Sequence, residues 1–69
     1  MSKTIPTIAK NIKKYRKEKG LSQDRLSRLA DVANATIIKI ESGGIQSPTI
    51  DTVQKIAKAL EVGVEDLIK

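Results

Sequence analysis

The sequence predicts an all-α domain built from five short helices. Apolar residues recur three and four positions apart through most of the chain, which is the spacing that places them on one face of a helix. Residues that typically start or stop helices separate these segments, namely Pro6, Gly20, Ser22 and the Gly43-Gly44 pair. With 69 residues and no cysteine, the chain can form one domain, residues 1–69, whose stability comes from packing alone.

The first helix is expected from near Pro6 to Gly20, after a frayed terminus at residues 1–5. Proline suits the first helical position, and glycine suits the position that follows the last turn. Three residues at i, i+4 and i+7 should face the core: Ile8, Ile12 and Tyr15. A basic amphipathic helix could also lie on a membrane surface, but this apolar stripe is narrow and lacks Trp and Phe, which disfavours that interpretation.

The second and third helices are separated by a tight turn. Ser22 is a good N-cap for the second helix, which should extend to about Ala30 with Asp24 complementing its positive end. The turn comprises residues 31–33, and the third helix covers Asn34 to about Ser42. This arrangement predicts a helix-turn-helix unit over about residues 22–42.

A fourth and a fifth helix complete the chain. Ser47 or Thr49 caps the fourth helix, with Pro48 near its start, and Val62-Gly63 breaks the chain before a short last helix at residues 64–68. Apolar spacing assigns the inward faces. The expected inward residues are Leu26 with Leu29, Ile37 with Ile40, and on the fourth helix Ile50, Val53, Ile56, Ala57 and Leu60.

The outward face of the third helix has an unusual composition. It carries Asn34, Ala35, Ile38 and Lys39, where a solvated helix would normally have Glu, Lys or Gln. In the major groove of DNA, Asn can pair with adenine, Lys can donate to guanine, and Ala and Ile can pack against thymine methyl groups. The sequence therefore predicts that these four residues contact bases.

Ile38 admits three interpretations. An exposed isoleucine lowers solubility, and contact with DNA would account for it. A single surface aliphatic residue is nevertheless common on soluble proteins. A core pocket would be the third explanation.

The positive charge is concentrated at the start of the chain. Residues 1–20 carry seven Lys or Arg and one acid, a net charge of +6, whereas residues 21–69 carry six Lys or Arg and seven acids, a net charge of −1. A basic segment on a nearly neutral body is typical of a protein that binds a polyanion. A lysine-rich helix that only keeps the protein soluble would have the same pattern.

Several function classes are disfavoured by composition. Without His or Cys the chain lacks the usual metal ligands and nucleophile–base pairs, and Gly43-Gly44 lacks the context of a phosphate-binding loop. No apolar run approaches the roughly 20 residues of a membrane span, and nothing resembles a signal peptide. We expect no enzyme activity, no cofactor, no metal, no small-molecule ligand and no membrane association. A cytoplasmic location is expected.

Many residues also match a family pattern in order and spacing. They are Ser22-Gln23 with Leu26, Val32, Thr36-Ile37, Ile40-Glu41 and Gly43, followed by Ser47-Pro48-Thr49-Ile50, Ala57-Lys58-Ala59-Leu60 and Glu65-Asp66-Leu67. On these residues the chain resembles the phage repressor and Cro family of helix-turn-helix domains, also called XRE-type, over residues 8–68. The resemblance implies a compact five-helix, lambda-repressor-like domain whose second and third helices dock on DNA.

The resemblance also implies roles for individual residues. It assigns base contacts to the same four residues of the third helix, 34, 35, 38 and 39. It assigns phosphate contacts to Ser22, Gln23, Thr36, Ser42, Gly43, Gln46, Thr49 and Arg16. Gln23 could instead serve only as a helix starter. Arg16 and Glu41 match a pair that links the first and third helices, and a carboxylate near phosphate does need such a cation.

The chain departs from the family pattern at a few positions. Asp31 and Glu61 stand where glycine is usual, and Asp tolerates a left-handed backbone better than most residues. Ala33 replaces the usual Ser or Thr cap, which loses roughly 1 kcal/mol. Asn34 could take over the cap, which would shift the third helix by one residue and alter the assigned contacts.

The predicted function is sequence-specific binding of double-stranded DNA by a transcriptional regulator of the repressor or controller type. One helix contacts few base pairs, so a homodimer on a palindromic operator is expected. Val62, Val64 and Ile68 are assigned to its interface, although they could instead close the core, as we expect for Leu67. The alternative is a protein-interaction module of the same fold, such as an antitoxin-like partner-binding protein, with only non-specific DNA affinity.

Overall fold

The computed structural model describes residues 6–69, so the frayed terminus expected at residues 1–5 lies outside the described residues. Within the described range the chain forms five helices and no strand: α1 Thr7–Glu18, α2 Gln23–Ala30, α3 Asn34–Ser42, α4 Ile50–Leu60 and α5 Val64–Ile68. The all-α, five-helix expectation is confirmed. Among residues 6–69, none of the five helices has both the length and the apolar character of a membrane span.

Side-chain caps set the starts of α2 and α4. The Ser22 hydroxyl accepts a hydrogen bond from the Arg25 N–H at 3.0 Å, as the sequence predicts. Thr49 caps α4 by accepting from the Thr52 N–H at 3.3 Å, so Thr49 and not Ser47 is the cap. These bonds satisfy N–H groups that the first turn of a helix leaves without an intrahelical partner. Both helices therefore begin where local chemistry places them.

The turn between α2 and α3 is held by backbone conformation. Asp31 has a left-handed φ of 57°, so aspartate accommodates the position that glycine usually occupies in the family. Ala33 precedes α3 without a side-chain cap, and the helix still begins at Asn34, so the one-residue shift does not occur. Gly43 ends α3 with a φ of 88°, which favours glycine because it lacks a Cβ.

The core is aliphatic and receives residues from every helix. Helix α1 packs against α3, α4 and α5, and α2 packs against α3 and α4. The buried members of the core are Ile8, Ile12, Leu26, Ala30, Ile37, Ile40, Val53, Ile56, Ala57, Leu60 and Leu67. Tyr15 lies partly buried at its margin. Leu67 thus closes the core as expected.

Two of the inward assignments are wrong. Leu29 is 51% exposed, because Leu26 and Ala30 occupy the core-facing positions of α2 and leave Leu29 at the edge beside α4. Ile50, the first residue of α4, is 63% exposed, and the core contribution of this helix begins one turn later at the buried Val53. The helical spacing of three to four residues correctly identifies the buried sides of α2 and α4. The buried face of each helix is narrower than this spacing predicts, so Leu29 and Ile50 lie outside it.

Polar contacts join parts of the chain that are distant in sequence. The Asn11 side-chain amide donates to the backbone carbonyls of Leu67 at 2.8 Å and Lys69 at 3.1 Å, which ties α1 to the end of α5. Lys19 and Glu61 form an ion pair at 2.6 Å between the ends of α1 and α4. These contacts fix α1 across the domain, and α1 in turn supports α3.

Candidate nucleic-acid interface

Helix α3 has two faces of opposite character. Its buried side carries Ile37, Ile40 and Glu41. Its exposed side carries the four residues predicted to contact bases, Asn34, Ala35, Ile38 and Lys39. The structure therefore brings these four side chains together on one accessible surface. Their contact with bases stays a prediction.

Ile38 is 43% exposed, which rules out the interpretation that it fills a core pocket. The two remaining explanations are contact with a partner and a solitary surface aliphatic residue. Asn34 and Ala35 precede it by four and three residues, so they lie next to it on the same face. Ile38 therefore extends the apolar surface of Ala35 beside the amide of Asn34.

A buried ion pair holds α3 against α1. The Arg16 guanidinium donates from Nε to Glu41 Oε2 at 2.7 Å and from Nη2 to Oε1 at 3.0 Å, and both residues are buried. Arg16 also donates from Nη1 to the Leu21 carbonyl at 2.8 Å. One N–H on each terminal nitrogen is left for another acceptor. A phosphate contact by Arg16 stays a prediction, and only the remaining N–H of Nη1 and the remaining N–H of Nη2 could make it.

Gln23 adds a contact that sequence reasoning missed. Its side-chain Nε2 donates to Glu41 Oε1 at 3.1 Å, so this carboxylate accepts hydrogen bonds from both α1 and α2. No local pattern signals a bond between residues 18 positions apart. The second N–H of the amide is left for another acceptor. Helices α1, α2 and α3 thus meet at one carboxylate behind the exposed face of α3.

The hydroxyl groups predicted to contact phosphates already stabilise helix ends. Ser42 donates to the Lys39 carbonyl at 3.1 Å and accepts from the Gly44 N–H at 3.4 Å, which closes the end of α3. Ser22 and Thr49 cap α2 and α4. The other assigned residues are Thr36, half-buried in the first turn of α3, Gly43 at its end, and Gln46, exposed in the following loop. Phosphate contact stays a prediction for all of them.

Helix α1 presents a row of exposed lysines away from the core. Lys10, Lys13, Lys14 and Lys17 recur at i, i+3, i+4 and i+7, so they share the side of α1 opposite Ile8 and Ile12. Lys14 Nζ lies 5.3 Å from the centre of the Tyr15 ring, a cation–π distance. The buried ion pair joins α1 to α3, so the positively charged lysines of α1 are held in a fixed position relative to the exposed face of α3. Their potential would attract a polyanion.

The residues assigned to a dimer interface differ in exposure. Ile68 is 59% exposed, whereas Val62 and Val64 are half-buried and pack against the core. Val64 and Ile68 line an apolar groove of about 380 Å³ together with Ile50, and Val62 does not line it. Two of the three residues predicted for the dimer interface, Val64 and Ile68, therefore lie on one apolar surface, and Ile50 lies on it as well.

Comparison with known proteins gives consistent relatives. A model of the helix-turn-helix family matches residues 12–67. The chain is 38% identical over 61 residues to the HTH-type transcriptional regulator SinR of Bacillus subtilis, an alignment that covers 88% of this chain and 55% of SinR. The chain therefore spans little more than half the length of that regulator.

Solved structures show the same fold. The N-terminal DNA-binding domain of SinR from Bacillus subtilis matches with a TM-score of 0.89 and 36% identity, covering 91% of both chains. SinR, the master regulator for biofilm formation, in complex with DNA matches with a TM-score of 0.87 and 37% identity, covering 90% of this chain and 98% of that one. The fold implied by the family resemblance is confirmed.

Proposed function

Because the chain belongs to the XRE-type helix-turn-helix family, we propose that it binds double-stranded DNA sequence-specifically and regulates transcription. One observation carries the proposal. Helix α3 is fixed from behind by the Arg16–Glu41 pair, while its opposite face leaves Asn34, Ile38 and Lys39 exposed. The similarity to a DNA-binding domain over nine-tenths of both chains supports it. A regulator of this kind acts where the DNA is, so the proposal includes a cytoplasmic location.

In the proposed complex, α3 lies in the major groove. Asn34 pairs with adenine, Lys39 donates to guanine O6 or N7, and Ala35 and Ile38 pack against thymine methyl groups. Each good bidentate contact discriminates against the wrong base by about 1–3 kcal/mol. The rigid attachment of α3 matters here, because a helix that rocked on α1 could not hold these groups at hydrogen-bonding distance.

Phosphate contacts hold the domain in register on the duplex. The start of α2, with Ser22 and Gln23, presents backbone N–H groups and the positive end of a helix dipole. The other contacts come from Thr36 in the first turn of α3, from Ser42 and Gly43 at its end, from Gln46 and Thr49 in the loop that follows, and from the free N–H groups of Arg16 on α1. Such contacts position the protein without conveying sequence.

The functional unit is proposed to be a homodimer on a palindromic operator. One α3 contacts only a few base pairs, so useful specificity needs two half-sites roughly 34 Å apart. Ile68 and Val64 supply the apolar interface with Val62 behind them, and the exposed Ile50 extends it.

The decisive experiment selects duplexes from a randomised pool and then measures affinity by fluorescence anisotropy at several salt concentrations. Asn34→Ala and Lys39→Ala should each reduce the preference for the selected duplex over a scrambled one by about 5- to 150-fold. Lys58→Ala is the matched control, because it removes one exposed charge from α4 instead of α3. Its preference should not change. Equal and weak binding to both duplexes would refute sequence-specific binding.

The dimer is tested separately. Ile68→Glu places a charge in the proposed apolar interface, and Ile68 is exposed, so the fold should tolerate it. We expect cooperative binding to the palindromic duplex to disappear while binding to an isolated half-site stays the same. Cooperativity that survives the substitution would place the interface elsewhere.

A further inference from the structure

An open groove runs between the end of α2 and the second half of α4. It is lined by Leu29, Ala30, Asp31, Lys55, Lys58 and Ala59 and encloses about 420 Å³. Leu29, the largest apolar side chain in it, is 51% exposed, although the sequence predicts it to be buried. We name this surface the Leu29 groove. It combines an accessible aliphatic centre with charged side chains around it.

The charge around the Leu29 groove is predominantly positive. Six Lys or Arg residues follow Gly20 in the sequence, and three of them lie in or beside the groove. Lys55 and Lys58 line it, and the exposed Arg25 lies one helical turn before Leu29 on the same edge of α2. Asp31 is the one acidic residue among the lining residues. Beyond the groove, Asp51 approaches Lys55 at 3.6 Å.

We infer that the Leu29 groove is a docking surface for an acidic protein segment that inserts an aliphatic side chain against Leu29. The partner's carboxylates pair with Lys55 and Lys58, and its apolar side chain covers Leu29 and Ala59. The carboxylate nearest Lys55 replaces Asp51, whose 3.6 Å contact is long and exposed. Apolar burial supplies affinity, and the charges supply specificity and a faster encounter.

Other occupants fit the groove less well. In a symmetric pair of identical chains, the lysines of one groove would face those of the other, and like charges repel. A DNA backbone would satisfy the lysines but offers nothing apolar to cover Leu29, and Asp31 would repel its phosphates. An acidic protein segment is the occupant that matches both features.

The groove lies on the edge of α2 that faces α4. Gln23, at the opposite end of α2, is directed towards α3, where its amide reaches Glu41. A partner in the Leu29 groove therefore leaves the exposed face of α3 uncovered. Docking there does not depend on DNA binding, and both can occur on the same molecule.

The test is an NMR titration of the ¹⁵N-labelled chain with a short, end-capped helical peptide of Glu and Leu. Backbone amides at Leu29, Ala30 and Lys55–Ala59 should shift. Leu29→Ser should weaken peptide binding about tenfold, and Lys58→Glu about fivefold. The matched controls should bind as the unmodified chain does. One is Ile50→Ser, which changes an exposed aliphatic residue outside the Leu29 groove. The other is Lys13→Glu, which reverses one charge on α1.

Several outcomes would overturn the inference. Absence of shifts at millimolar peptide would do so, as would equal binding of a peptide with Lys in place of Glu. Shifts along α1 with weakening by Lys13→Glu would assign the peptide to the lysine row instead. Shifts of the groove amides by duplex DNA would make the groove part of a DNA surface. Leu29→Ser should retain its duplex affinity, so failure of the docking surface is distinguishable from failure of DNA binding.

Discussion

Replacing Glu41 by methionine probes the ion pair that fixes α3 to α1. The substitution removes a carboxylate that accepts two hydrogen bonds from Arg16 and one from Gln23. Methionine is close to glutamate in size, so loss of volume adds little. The buried guanidinium would keep its bond to the Leu21 carbonyl and lose its counter-charge. The cost is therefore that of an uncompensated buried cation.

Breaking a buried pair from one side typically costs about 3–5 kcal/mol. A domain of 69 residues has a total unfolding free energy of about 3–10 kcal/mol. We therefore expect Glu41→Met to remove a large part of the stability and to lower the Tm by about 12 °C or more. Removing both charges should cost far less, because a well-packed apolar pair is often neutral or stabilising relative to an ion pair.

The assay is urea unfolding, followed by circular dichroism, of the unmodified chain, Arg16→Met, Glu41→Met and the double variant. The double-mutant cycle should give a coupling free energy of about 3 kcal/mol or more. Arg28→Gln is the matched control. It breaks the exposed Arg28–Asp24 pair at 3.2 Å and should cost less than about 1 kcal/mol.

Additive effects of the two single variants would refute the reasoning, because they would show that Arg16 and Glu41 act independently. A cost below about 1 kcal/mol for Glu41→Met would also refute it, since a pair worth so little behaves as a hydrated surface pair.

Three further predictions concern helix ends. Asp31→Gly should raise the unfolding free energy by about 1 kcal/mol in urea titrations, because Asp31 has a left-handed φ of 57°, and a loss of stability would contradict this. Ala33→Ser should raise it by about 1 kcal/mol by capping α3, and no change would show that the hydroxyl does not reach the first turn. The Lys19 hydrogen bond and then its charge lower the pKa of Glu61, so this carboxylate contributes stability above its ordinary pKa and loses it as pH falls through the lowered value. Lys19→Gln should return the pKa of Glu61 towards its ordinary value in an NMR titration, and an unchanged pKa would assign the shift to another group.

Helix ends were predictable because their causes are local. A serine that caps its own helix and a glycine with positive φ act within three or four residues. The chain places Ser22 and Gly43 at those ends. The same logic leaves Ser47 and Thr49 as alternatives, since both residue types are good caps, and the structure shows that Thr49 is the one that caps α4.

Burial at helix edges was less predictable. The helical period indicates which side of a helix is apolar, but it does not show where the neighbouring helix ends. Leu29 and Ile50 both lie at such margins, and both are exposed. An apolar residue at the edge of a stripe therefore needs tertiary information before it can be assigned to the core.

The candidate site shows the same limit. The exposed face of α3 followed from periodicity. The contact between Gln23 and Glu41 depends on how α2 docks against α3, which no local pattern encodes. The proposed contacts with bases and phosphates depend in addition on the shape of a duplex, so they stay predictions for the experiments above.

The division of α3 into two faces has a consequence for how such a protein can diversify. None of Asn34, Ala35, Ile38 and Lys39 belongs to the core, so substitutions there should change stability by only a few tenths of a kcal/mol. Mutation can therefore alter the preferred operator without eroding the scaffold. Under the proposed function, duplicated copies of this domain could acquire new targets while each intermediate stays folded, and a designer could retarget it by the same route.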